Sequence, residues 1–409
     1  LIEETVMRHT ITRRHLLQSA AGAAVGAWGL TVRPSAADET ASPVRILAPV
    51  HGAVLNHRHG QQTAEGLTIR VSGQCRPGDR VTVNGTACRV AGSCFTGTVV
   101  LRSPETDLVA VADGGGDRSE SRVRVVWDRY SAPRYRFMID DNSYFLRDIA
   151  QNNYASLFDG FYLKKLRELH KKYGTKFCLN IYYAAADGLD FPSPSSFRLP
   201  QFPDRYKGEW RDNAHWLKLA FHAYANKPDN PYAEVPAERL IADLDLVAAE
   251  IRRFAGEEAY APPIGIHWGM APRSAFRPLY ARGVRTLAGL FAKRNGQWIV
   301  NYNWDPEHSQ RIAEQDVWKD FESGIIFCVD NITCNLVPLD RTAAVLEASI
   351  KDPTKAEIIK IITHEQYFWP FFRKYLPDHF QRIETALRWV TERGYKPVFF
   401  HEGLLGGRV

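Results

Sequence analysis

No run of lysine and arginine of the kind that tracks a phosphate backbone occurs in this sequence. Its formal charge of +6 is spread over 52 basic and 46 acidic residues, which argues against a nucleic-acid partner. Beyond residue 37 no stretch is long and apolar enough to cross a bilayer, so no membrane span is expected in the mature protein. Cysteine is sparse and scattered: six residues, with no spacing that reads as a zinc knuckle. Cys75, Cys88 and Cys94 lie close enough in sequence for a bridge in an oxidising compartment. Small buried thiols are an equally good reading.

The N-terminus is the first informative stretch. Arg13-Arg14, followed by His15-Leu16-Leu17, opens an Ala- and Gly-rich apolar segment that ends at Ser35-Ala36-Ala37. This pattern predicts a twin-arginine export signal over residues 1–37, with Met7 as the candidate start, and a short linker over 38–43. The expected location is therefore periplasmic or secreted.

At 409 residues the chain exceeds one ordinary core, and its pattern changes once. From 44 to 130, short alternating runs such as "LTIRVSG" and "SRVRVVWD" are separated by Gly, Pro, Asn and Asp. They predict an all-β sandwich of immunoglobulin-like type, with a hairpin at Asn84-Gly85. His51, His57 and His59 fall among turn residues and read as a solvated loop. From 134 to 409, apolar strands alternate with helical stripes: Tyr162/Leu166/Leu169/Tyr173, Leu240/Leu244/Val247/Ile251/Phe254 and Phe380/Ile383/Leu387/Val390. "PPIGIHW" (262–268) and "KPVFFHE" (396–402) are included among the strands. The overall expectation is multidomain: a β-sandwich followed by a distorted seven- or eight-stranded β/α barrel.

Reactive groups of such barrels gather at the C-terminal ends of the strands. Here those ends carry Asp140-Asp141, His222, His267, Asp330, His364-Glu365 and His401-Glu402. Each alone has an ordinary explanation. A double Asp caps a helix, and a lone His in an apolar strand is often a satisfied core group. Their convergence on one rim points to chemistry. One Asp with one or two His makes a site for a divalent cation such as zinc, with room for water and substrate. A second Asp beside it serves as base, and a His across the site as acid. That set suits hydrolysis of an acetyl amide or ester. Two ionised neighbours such as Asp140 and Asp141 also require some such compensation, a cation or a shared proton, unless solvent screens them. The rings of Trp268 and Trp304, with Tyr367, follow strand ends and offer faces for sugar C–H groups.

Five segments, in order, carry a resemblance: "FMIDD", "LKKLRELHKKYGTKFCLNIYY", "FHAYAN", "MAPR" and "IIKIITHE". Together they make the C-terminal region resemble a divergent branch of the polysaccharide deacetylase (NodB-homology) family. The resemblance covers roughly 270 residues at the level of motif order. It implies Asp140 as catalytic base, Asp141 and His222 as metal ligands and His364 as catalytic acid. It departs from the family where a second histidine is expected and Asn226 stands. His267 is the replacement ligand proposed here, with Asn226 or water as alternatives and Glu365 as a further participant in catalysis. Arg273 loosely matches the family's arginine. Asn226, Trp268, Arg273, Trp304 and Tyr367 are the expected substrate contacts, and a poly- or oligosaccharide is the expected partner. Two other functions fit the same residues: a metal-independent glycoside hydrolase or lyase pairing Asp140 or Asp141 with Glu365 or Glu402, and a non-catalytic polysaccharide-binding protein.

Overall fold

The structure is a computed structural model and describes residues 44–114, 117–185 and 196–408. The expected export signal and linker fall on residues 1–43, outside the described residues. The chain is multidomain, with a strand-rich N-terminal region and a helix-containing C-terminal region. Its compact units are 44–51 with Gly60–Val125, and Gly52–His59 with 126–408. No helix among the described residues is long and apolar enough to cross a membrane.

The first unit is built of antiparallel strands in two sheets. Its central strand, Leu67–Gln74, buries every second residue, so Leu67, Ile69 and Val71 enter the core while Arg70 stays out. The Asn84-Gly85 turn joins Arg80–Val83 to Thr86–Ala87, with both turn residues at positive φ (48° and 79°). That geometry is what Asn-Gly supplies at low cost. All six cysteines are free thiols, so the region folds without a bridge.

The second unit begins with β1 (Arg134–Asn142), which runs parallel to β2 (Phe177–Ala185); β2 also pairs in parallel with β3 (Leu217–Ala225). β4 (Thr286–Gly289) pairs with β5 (Ile326–Val329). Just beyond β5, β6 (Ile332–Thr333) pairs with β7 (Ile358–His364), and β7 returns to β1. β8 is short, only Lys396–Pro397. The helices are α1 (Tyr144–Asn152), α2 (Phe161–Tyr173), α3 (Ala237–Phe254) and α4 (His379–Glu392); the last three bury most of the stripes read from the sequence, with Tyr173 and Phe380 half-buried. Gly174, at φ 70°, ends α2 in the left-handed cap that glycine favours.

Two expected strands differ. Residues 262–268 form no ladder, because Pro262 and Pro263 lack the N–H groups a ladder needs. The stretch nevertheless runs extended between its neighbours. Leu219 N–H donates to Ala259 O and Ala261 N–H to Leu219 O, both at 2.8 Å, and Ala288 N–H donates to Ile264 O at 2.7 Å. The expected strand 396–402 stops at Pro397 and continues as turns.

Candidate metal and catalytic site

β1 is apolar and buried until its end, where the backbone departs from regularity. In an unbroken strand Asp140 and Asp141 would point to opposite faces. Here the register against β2 shifts between Ile139 and Asn142, and Asp141 takes a left-handed φ of 62°. Bulge and kink together turn both carboxylates toward one imidazole. His222 Nε2 lies 3.1 Å from Asp141 Oδ1 and 4.0 Å from Asp140 Oδ2. Asp is among the few residues that accept such a backbone, and strained backbone of this kind concentrates at functional sites.

His267, from the extended stretch after Pro263, completes a cluster. Its Nδ1 lies 3.3 Å from Asp141 Oδ1 and 3.1 Å from His222 Nε2. Asp141, His222 and His267 are the group among the described residues whose ligand atoms could hold a metal ion. A tetrahedral ion with bonds of about 2.0–2.1 Å sets its ligand atoms about 3.3 Å apart, close to what is found. The tautomer fits as well. With Nδ1 3.3 Å from Gly265 O as a donor, His222 is free to turn Nε2 to an ion, and with no ion a proton on Nε2 bonds it to Asp141 Oδ1 at 3.1 Å. Acceptors at that distance repel unless a cation or proton lies between them.

Electrostatics follow from burial and neighbours. Burial would raise the Asp141 carboxyl, but hydrogen bonds from His222 and His267 and the charges of His364 and His267 hold it well below the usual carboxylate range. Burial lowers His222, yet the charge of Asp140 and the bond and charge of Asp141 leave it raised on balance. Burial dominates at His267 and pushes it down.

Three residues not singled out in the sequence reading hold the two carboxylates. Asn180 Nδ2 donates to Asp140 Oδ1 at 2.7 Å, Gln366 Nε2 donates to Asp141 Oδ2 at 2.9 Å, and the Tyr182 hydroxyl donates to Asp141 Oδ1. Asn180 and Tyr182 stand two apart on β2. An Asn inside the apolar run "FCLNIYY" was the available signal.

His364 is the register partner of Asp140 across β7 and β1, and its Nδ1 lies 2.9 Å from Asn335 Oδ1. Glu365 is placed differently from the expectation of a catalytic group. It is fully buried, and its carboxylate accepts the N–H groups of Ser143, Tyr144 and Phe145 at 2.6–2.8 Å and that of Trp369 Nε1 at 3.2 Å. It caps α1 across the fold, where the Ser143 side chain makes no capping bond. Burial pushes its carboxyl up to about 8, against the three backbone donors.

The expected sugar contacts separate. The Trp268 ring lies 5.9 Å from the His267 ring, and the Tyr367 ring 6.3 Å from that of His364. Trp304 is buried among Phe276, Phe327 and Trp318, so its ring fills core and offers no sugar a face. Arg273 lies over that ring at 4.2 Å and near Asp305 at 3.9 Å, outside the cluster. The Oδ1 of Asn226 is buried without a hydrogen-bond partner. Asp330 is spent in a buried pair with Arg136, and Glu402 lies at the surface 3.6 Å from Lys176.

No protein-family model matches the chain, and no curated protein does. Among solved structures, a 4-alpha-glucanotransferase from Thermococcus litoralis is similar over 66% of this chain, with 11% identity and a TM-score of 0.38; the chain spans 39% of that protein's length. Agd3, described as a carbohydrate deacetylase, is similar over 78% of this chain and 68% of its own, with 9% identity and a TM-score of 0.33. The fibronectin(III)-like modules of Clostridium thermocellum CbhA are similar over 24% of this chain and 57% of theirs, with 19% identity and a TM-score of 0.17.

Proposed function

We propose that this protein is an exported, metal-dependent carbohydrate deacetylase that removes N- or O-acetyl groups from a polysaccharide. In this reading the first unit is an immunoglobulin-like sandwich. The ring of pairings from β1 through β2, β3, residues 259–264, β4, β5–β6 and β7 back to β1 is a distorted seven-stranded β/α barrel. The observation that carries the function is the meeting of Asp141, His222 and His267, with Asp140 4.0 Å from His222 and His364 on the next strand.

A divalent ion held by Asp141, His222 and His267, zinc being the best fit to two nitrogens and one oxygen, would polarise the acetyl carbonyl and acidify a water. Asp140, fixed by Asn180, would take the proton of a water attacking the carbonyl carbon. His364, held through Nδ1 by Asn335, presents Nε2 and gives a proton to the departing amine or alkoxide as the C–N or C–O bond breaks. Acetate and the free sugar amine or hydroxyl are the products. Gln366 and Tyr182 keep Asp141 aimed. The bulge at Asp140-Asp141 then has a use: one carboxylate faces the ion while its neighbour serves as base.

The glycosidase alternative needs a second free carboxylate. Glu365 is engaged by four N–H donors and Glu402 by Lys176, which favours deacetylation. Acetate release from N- and O-acetylated glycans, with and without chelator, is the test. Release that chelator stops, that zinc restores and that Asp140→Asn abolishes supports the reading. Shortened glycan chains without acetate would favour glycosidic cleavage, and glycan binding indifferent to both treatments would leave a binding protein.

A further inference from the structure

The stretch that delivers His267 is joined to β4 by one ladder bond and one phenol. In a parallel ladder Ala288 would donate to Ile264 O and accept from the Ile266 N–H. The first bond is made, at 2.7 Å. At the second, the Tyr302 hydroxyl stands in between: it donates to Ala288 O at 2.6 Å and accepts the Ile266 N–H at 3.4 Å. The Tyr302 N–H donates to Gly269 O at 2.6 Å, so Tyr302 grips the chain on both sides of His267. Its side chain is fully buried. The backbone there is strained: φ is 55° at Tyr302, 51° at Val300 and 61° at Trp268. Bulky residues hold such angles only where their surroundings fix them, and such strain gathers at functional sites. Gly265, inside the same stretch, turns its carbonyl to His222 Nδ1 at 3.3 Å.

We propose that Tyr302 is a positioning residue of the ion site: its hydroxyl, inserted between Ile266 and Ala288, holds the chain off β4 and sets where Gly265 and His267 stand. The inference rests on the metal-site part of the deacetylase reading and adds to it the group that keeps two of the three ligands in place. A site's affinity for an ion depends on the groups that orient its ligands as well as on the ligands themselves. Without the hydroxyl, the Ile266 N–H and Ala288 O are both buried and face each other unpaired. Closing the direct ladder bond satisfies both. It would draw residues 265–267 toward β4 and change the distances among Asp141, His222 and His267.

The test titrates the full chain, stripped by chelator, with zinc(II) and separately with cobalt(II), in the wild type, Tyr302→Phe and Tyr135→Phe. Tyr135 is the control. It is as buried as Tyr302, and its variant also deletes a buried hydrogen bond, 2.9 Å to Thr175 Oγ1, but at the other end of β1 from Asp140-Asp141. Four-coordinate cobalt(II) absorbs visible light strongly and six-coordinate cobalt(II) weakly, so its spectrum reports ligand geometry. Zinc affinity should fall about ten-fold in Tyr302→Phe, with a weaker cobalt band, and neither should change in Tyr135→Phe. Affinity and band equal to wild type in Tyr302→Phe, or an equal loss in both variants, would overturn the proposal. A crystal structure of the wild-type protein reads the same point even if Tyr302→Phe folds poorly. Tyr302 Oη between Ile266 N and Ala288 O supports the role, and a direct Ile266–Ala288 bond overturns it. Failure of the wild-type protein to bind either ion would overturn the metal site itself, and the inference with it, a distinct result.

Discussion

Glu365 and Ser143 are joined by a 2.6 Å hydrogen bond from the Ser143 N–H to Glu365 Oε2, across 222 residues of chain. The bond ties the segment just after Asp140-Asp141 to the segment just after His364. One buried carboxylate thus clamps together the two strand ends that carry the proposed base and acid. Its removal leaves the first N–H groups of α1 buried without acceptors. Glu365→Ala should cost on the order of 3 kcal/mol by urea unfolding. Glu365→Gln, which keeps an oxygen acceptor, should cost clearly less. Equal stability of the Ala variant and wild type would refute the clamp.

His379 gives the fold a dependence on acid. It is buried, its Nε2 lies 2.8 Å from Thr363 Oγ1, and burial, with the charges of Arg382 and His364, pushes it down to about 3. The unfolded chain binds this proton below about pH 6.5 and the folded chain only near 3. The stability from keeping the ring neutral is complete above pH 6.5 and is lost as pH falls toward 3, by at most about 1.4 kcal/mol per unit. Unfolding measured from pH 7.5 to 4 should show this slope, shallower in His379→Gln. His401, pushed down to about 4 mainly by burial, adds to the slope in the same direction.

In the proposed site His267 serves as the third ligand beside Asp141 and His222. His267→Ala should weaken zinc binding by at least about 100-fold, more than loss of an outer partner does. Arg273→Ala, remote from the cluster, should bind zinc as wild type does. Competition with a coloured chelator reads both, and equal affinities across the three proteins would remove His267 from the site.

Asn180 is expected to act through Asp140. Without its 2.7 Å bond the carboxylate loses its aim, so Asn180→Ala should lower kcat about ten-fold with KM little changed. Asp140→Asn should lower kcat by about a thousand-fold. A KM effect alone for Asn180→Ala would mean that the residue serves binding instead.

In the proposed mechanism Asn335 fixes which nitrogen of His364 faces the substrate. Asn335→Ala removes the 2.9 Å contact, so kcat should fall about ten-fold with KM little changed. An unchanged kcat would show that Asn335 does not position His364.

The sequence by itself determined the local elements, because those depend on nearby residues. Apolar spacing set α2, α3 and α4, Gly174 ended α2, Asn84-Gly85 turned a hairpin, and alternation marked Leu67–Gln74 as half-buried. It also supplied the residue types that gather at strand ends. Only the tertiary structure decided which of them meet. The kink at Asp141 is a backbone response to packing, so a strand pattern gives no sign that both carboxylates reach His222. Residues 262–268 read as a strand, and Pro262 and Pro263 deny them a ladder, yet the stretch still delivers His267. Glu365 and Trp304 have the chemistry of site residues, but contacts made hundreds of residues away or across a core fix one as a cap and the other as packing. Periodicity is local information. Convergence depends on closing long loops of chain, and one sequence does not record which closures win.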